Sequence, residues 1–534
     1  MRYSLFLFWL ALPLLLMAQR EIPRLGQIDL QHYIFELALS DTTDVIEGQA
    51  YLQLNYKQQL EELALDLVAP RPDGSGMKVS QVLENGQPVP FRQTEEQLLI
   101  RPQAAFFQDS LYTYELHYRG RPADGLVISA NKYNERTFFG DNWPNRAHHW
   151  LPCVDHPSDK ASVEFIVTAP DHYQVVANGV LVEELNLDES TKLTHWREEA
   201  PIPMKVAVIG AAQFGVRRAG NVNGIPVSSW VFPGNREAGY RDYRQALEVL
   251  AFFIEAFGPY PYKKLANVQS KTRYGGMENA SNIFYFENSV TGGQDHEDLI
   301  AHEVAHQWFG NSVSEQNWHH IWLSEGFATY GANLYIEHAY GRDAMAKRLI
   351  TERQRVFQFA SRTPRPVVDT TVTDWNRLLN ANSYQKGGWV LHMLRRRLGE
   401  ADFWEGLRRY YARHRGGNAL TQDFQAAMEE ASGEALDDFF QQWIFQPGYP
   451  ELEVGWSWAG GSSLKLEIQQ VQDGIPFQFP LDVKALGPDG QEQQWTIPVK
   501  RVKEELELPC PFEPARILLD PDTWLLFTAR LKRS

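Results

Sequence analysis

The 534-residue chain is too long for one hydrophobic core, and 43% apolar with 13% aromatic residues marks packed globular domains, not disorder. A formal charge of -16 leaves no basic face for a phosphate backbone, so nucleic acid is excluded as a partner. Cys153 and Cys510 stand far apart in sequence and are expected as two separate buried thiols, since two cysteines make no disulfide framework.

In chain order, Arg2 followed by the apolar run Leu5 to Met17 reads as a signal peptide over residues 1–18, with cleavage after Ala18. The run is too short to span a bilayer comfortably, and no later stretch is apolar enough to do so. Export to the periplasm or exterior without stable membrane insertion is expected; an uncleaved anchor is the alternative. Residues 19–217 form an N-terminal β domain. Val45 to Leu54 and Ser162 to Val167 alternate with period two, separated by turns such as Pro72-Asp73-Gly74. The expected assembly is antiparallel. Residues 218–446 form a mainly helical domain, with helical periodicity over Arg241–Phe257, Asp298–Phe309, Leu323–Tyr340, Gly388–Leu398 and Gln422–Ala431. Alternation returns in 447–534, at Leu464–Ile468, Phe479–Val483 and Trp495–Val499, as a small C-terminal β-sandwich.

The chemistry concentrates at His302-Glu303-Val304-Ala305-His306. Residues four apart share a helix face, so His302 and His306 can aim two imidazoles at one metal ion. A catalytic zinc site takes three protein ligands and keeps a fourth position open, and Glu325, nineteen residues after His306, supplies the third. Glu303 is placed for proton transfer, and zinc lowers the pKa of bound water from about 15.7 to about 7. Without Glu325 the ordinary helix face would stand as the lesser alternative for the two histidines. Two further strings are less specific alone. Tyr274-Gly275-Gly276-Met277-Glu278-Asn279 carries two glycines that let backbone approach a ligand, as at an active-site edge strand. Tyr384, at the head of a helical pattern, offers a phenol that can donate to an oxyanion without carrying charge.

Taken together, HEVAHQWFGN, WLSEGFATY, YGGMENAS and SYQKGGWVLHML, in this order, resemble the zinc aminopeptidases of the aminopeptidase N and leukotriene hydrolase type. The string Leu151-Pro152-Cys153-Val154-Asp155-His156-Pro157-Ser158-Asp159-Lys160-Ala161 is similar to that family's β-domain signature. The resemblance implies a multidomain α+β fold: an N-terminal antiparallel β domain, a thermolysin-like helical domain and a C-terminal β-sandwich. It implies one Zn²⁺ per chain on His302, His306 and Glu325, with Glu303 as general base and Tyr384 on the oxyanion. Glu278 would hold the free α-ammonium of a peptide, with Tyr274, Gly275, Gly276, Met277 and Asn279 lining the substrate. Many relatives carry Glu or Gln five residues before an arginine as a second amine anchor. Here that position, before Arg146, is Asp141, which could equally cap a turn. His148, His149, His156, His319 and His320 are expected to pack or hydrogen-bond, not to bind metal. An endopeptidase or epoxide hydrolase on the same site, or a non-catalytic binding protein on the same fold, are the competing readings.

Overall fold

The computed structural model describes residues 23–108, 110–458 and 462–533; the signal-peptide segment 1–18 lies outside them. The fold divides into two compact units. Of the described residues, one unit comprises those up to Ala251 with Pro259–Asn317 and His414–Asn418; the other comprises Phe252–Gly258, Trp318–Arg413 and those from Ala419 onward. Among the described residues no helix is long and apolar enough to cross a membrane.

The first unit is built on an eight-stranded sheet. Its order is Val180–Asn186, Thr191–Ile202, Ala161–Pro170, Ile28–Ala38, Ile46–Tyr56, Leu111–Arg121, Gly76–Glu84, Gln87–Pro88. The alternation expected over Val45 to Leu54 is realised directly: Ala50, Leu52 and Leu54 are buried and the residues between them are partly exposed. All pairings are antiparallel except that of Ile28–Ala38 with Ala161–Pro170, which is parallel. A parallel pair needs a long crossover, and here the intervening strands supply it.

The same unit holds a five-stranded sheet that the sequence reading passed over as part of a helical region. Its order is Gly215–Val222, Ile225–Val231, Leu265–Ser270, Asn282–Phe286, Gly276–Met277, with parallel pairing among the middle three. The physical reason is burial on both faces: all six residues of Leu265–Ser270 are buried, including Asn267, Gln269 and Ser270. A strand covered on both sides shows no alternation. Gly276–Met277 is the edge strand, paired antiparallel with Tyr285 and Phe284.

In the second unit, Trp322–Tyr340 is a nineteen-residue helix buried from Trp322 to Ile336, followed by helices Arg342–Ala360, Gly387–Leu398 and Thr421–Ser432. Two sheets follow, one of four strands (Lys503–Pro509, Ser463–Gln470, Glu451–Trp458, Thr528–Arg533) and one of three (Glu492–Val499, Phe479–Leu486, Arg516–Leu519). Trp524 ties them to the helices: its ring stacks on His392 at 4.6 Å and lies 3.9 Å from the Arg342 guanidinium. The expected sequence of β domain, helical centre and C-terminal β sheets is therefore what the chain adopts. Both cysteines are buried thiols.

Candidate metal centre and substrate site

In the first unit the metal-motif helix spans Glu297–Ala305. Glu297 and Asp298 favour its positive N-terminal end, and Ile300, Ala301, Val304 and Ala305 bury its inner face. His306 stands at the C-cap, yet its N–H still bonds the His302 carbonyl at 3.2 Å, so the i,i+4 relation survives the helix end. The two Nε2 atoms are 3.1 Å apart. Two tetrahedral zinc ligands at about 2.05 Å would place their nitrogens roughly 3.3 Å apart, so the pair fits one zinc ion. His306 Nδ1 lies 3.2 Å from the Phe309 carbonyl; donation there leaves the Nε2 lone pair for a metal.

Beside this pair sit two carboxylates. Donor atoms of Glu278, Glu303 and His306 lie within 4.8 Å of one another, and all three residues are buried. Two such carboxylates repel unless a cation comes between or beside them. Glu303 rests against the edge strand: a Cβ on Gly276 would lie 2.2 Å from its Oε1 and 2.5 Å from its Cδ. Around Gly275 the space is open, and its carbonyl accepts the Phe286 N–H at 3.0 Å. The two glycines, alike in sequence, thus do different work. Tyr285 pairs with Gly276 across the strands, and burial, then the Glu303 charge, pushes its phenol well up.

Glu278 itself is 5% exposed. Its carbonyl accepts from Gln307 Nε2 at 2.8 Å and from Asn311 Nδ2 at 2.6 Å. Neither amide was singled out by the sequence reading; the only signal is their place just after the motif. Asn279 is fully buried. Tyr274 is half-buried with its ring edge-on to Trp143, centroids 6.2 Å apart. Asp141 follows the strand Arg136–Gly140 and is fully buried. Its Oδ1 accepts from Arg146 at 2.5 Å and its Oδ2 accepts the Arg273 N–H at 3.0 Å. The carboxylate thus holds the backbone entering the Tyr274–Asn279 string. His148 bonds Asp155 at 2.7 Å and His156 bonds Ser158 at 2.7 Å.

Glu325 and Tyr384 belong to the second unit. Glu325 lies in the first turn of the helix Trp322–Tyr340 and is buried. Tyr384 lies in a π-helical turn, Asn382–Lys386, a wide turn frequent at functional sites. Gly326 meets this turn backbone to backbone: its added Cβ would lie 3.0 Å from Gly387 Cα and 3.1 Å from the Ser383 carbonyl oxygen. The turn is also pinned by the buried Lys386, whose Nζ donates to the Gly448 carbonyl at 2.8 Å; burial pushes this amine down to about 7. Gly326→Ala is therefore expected to cost about 2 kcal/mol, as overpacking against rigid backbone does, and the urea midpoint of the variant measures it. His320 bonds Thr421 at 2.8 Å, with burial pushing its imidazole down to about 4, and His319 bonds the Val372 carbonyl at 3.1 Å.

Residues 30–204 match the Peptidase M1 N-terminal domain, and residues 242–443 match the Peptidase family M1 domain. The chain belongs to peptidase family M1. Among relatives, it is 28% identical to human glutamyl aminopeptidase over 462 residues, 82% of this chain and 46% of that one. It is 29% identical to aminopeptidase M1-A of Oryza sativa subsp. japonica over 343 residues, 62% of this chain and 38% of that one. With probable aminopeptidase 2 of Sulfurisphaera tokodaii it shares 25% identity over 471 residues, 84% of this chain and 58% of that one. The chain spans about half the length of the curated relatives it matches. In this M1 chain the donor set of two imidazoles and nearby carboxylates suits zinc, which takes N and O ligands readily.

Proposed function

We propose that this chain is a zinc-dependent aminopeptidase that removes the first residue of peptides bearing a free α-amino group. The observation that carries the reading is the buried Glu278 carboxylate beside Glu303 and His306. A carboxylate there gives a cationic N-terminus a charge-assisted contact that a blocked one cannot form. It also sets the register, so that the first peptide bond is the one presented to the histidine pair. His302 and His306, with Glu325 as the family resemblance implies, would hold one zinc per chain; bound there, zinc polarises the scissile carbonyl and acidifies water. Glu303 takes the proton of the attacking water and hands it to the leaving amine. Tyr384 donates to the developing oxyanion. The backbone of Gly275 and Gly276, with Met277, Asn279 and Tyr274, lines the peptide. The proposal includes export to the periplasm or exterior, supported by the apolar leader at residues 1–18.

A panel of aminoacyl-coumarin amides assayed against their N-acetylated twins tests the reading. Chelator-sensitive cleavage of the free-amine set alone is the expected result. Glu278→Gln should lower kcat/KM on that set about thirtyfold, the worth of one hydrogen bond to a charged group. Equal cleavage of both sets would point instead to an endopeptidase or another hydrolase. No cleavage by zinc-loaded protein would point to a binding protein.

A further inference from the structure

The β-domain string around Lys160 takes no part in the chemistry above, yet it reaches the substrate site. The Lys160 ammonium is buried and donates to three main-chain carbonyls, those of Asn311 at 3.0 Å, Ser312 at 2.8 Å and Gly417 at 2.7 Å. Two of the three belong to the segment that leaves the metal-motif helix. Asn311 then turns back: its N–H bonds the His306 carbonyl at 3.1 Å, and its side-chain amide donates to the Glu278 carbonyl at 2.6 Å. The Glu278 carbonyl lies outside the ladder of the edge strand Gly276–Met277 and accepts from the amides of Asn311 and Gln307. The neighbouring charges, Lys205 and Glu315, pair with each other at 2.6 Å.

We propose that Lys160 is a positioning residue for Glu278, acting through Asn311, so that the β-domain signature helps to set selectivity for a free N-terminus. The proposal rests on the reading of Glu278 as the amine-binding carboxylate. The chemistry asks for this residue type. Three carbonyls converge on one buried point, and a lysine ammonium donates to all three from a single atom. Ser314 Oγ, the Gly416 N–H and the Ser314 N–H also bond the Asn311, Ser312 and Gly417 carbonyls, so losing the ammonium orphans none of them. It removes the three bonds by which the β-domain string holds segment 311–312, which is then freer to shift. Asn311 carries that shift to Glu278, whose carboxylate must sit within a few tenths of an ångström of its mark to grip an ammonium.

The test measures binding, not turnover. Zinc-loaded full-length protein is titrated by calorimetry with leucine hydroxamate and with its N-acetyl twin, for the wild type, Lys160→Met and Asn311→Ala. The two ligands share the metal-binding group and differ in the amine. Both variants are expected to weaken the free-amine ligand about tenfold while leaving the acetylated one unchanged, because a displaced Glu278 is felt by the ammonium alone. Asn311→Ala removes the link without burying an unpaired charge, and so decides the matter even where Lys160→Met does not fold. Parallel weakening of both ligands, or unchanged preference in Asn311→Ala, would overturn the proposal. A wild type that binds both ligands equally would instead remove the aminopeptidase reading on which it stands.

Discussion

Glu303→Gln is expected to lower kcat about a thousandfold while leaving the protein folded and zinc-loaded. The side chain is 4% exposed and lies between the edge strand and the Glu278–His306 pair, so an isosteric amide fills the same space. What the amide cannot do is accept the proton of the attacking water or carry it to the leaving amine. General acid–base catalysis by a positioned group contributes typically 10²–10⁴-fold, and here one residue serves both transfers. KM should change little, since Glu303 does not hold the ammonium. The check is kcat on leucyl-coumarin amide, with zinc stoichiometry and thermal midpoint measured on the same sample. A fall of less than about tenfold would place the base elsewhere.

How far such roles can be read from sequence depends on how local they are. His302 and His306 are legible because a helix converts a spacing of four into one face, and the structure keeps that relation even though the helix ends at Ala305. The helix Trp322–Tyr340 begins one residue before its expected start at Leu323, again because periodicity and a terminal glycine are local signals. The sheet that supports the site was not legible. Leu265–Ser270 and Asn282–Phe286 are buried strands in parallel register, so neither alternation nor a hairpin turn announces them.

Asp141 shows the limit at the level of one side chain. Its spacing from Arg146 matches the second amine anchor of many relatives, and in the fold the two residues form a buried ion pair. Sequence gives the pair and not the direction in which either points. Lys160 is the converse case. Its three carbonyl partners lie more than 150 positions away, and backbone carbonyls leave no trace in a residue pattern. Contacts of this kind become visible only when the chain is folded.

The glycines of the edge strand turn this into a sharp contrast. Gly276→Ala is expected to lower kcat about a hundredfold with little loss of stability, whereas Gly275→Ala should stay within about threefold of wild type on both measures. A methyl on Gly276 would stand 2.2 Å from Glu303 Oε1 and 2.7 Å from Cγ, far inside van der Waals contact. The obstacle is the end of a flexible side chain and not backbone, so the clash is relieved by rotating Glu303 away at small conformational cost. Relief of the clash is therefore what damages the enzyme: a carboxylate moved by about 1 Å is misplaced for proton transfer, and such a displacement costs on the order of 10²-fold. At Gly275 an added methyl meets no atom within 4 Å. Urea denaturation and kcat on the same coumarin amide, run on both variants, check the contrast. If Gly276→Ala loses stability and activity together, the glycine serves the fold of the edge strand; if only activity falls, it holds the seat of the general base.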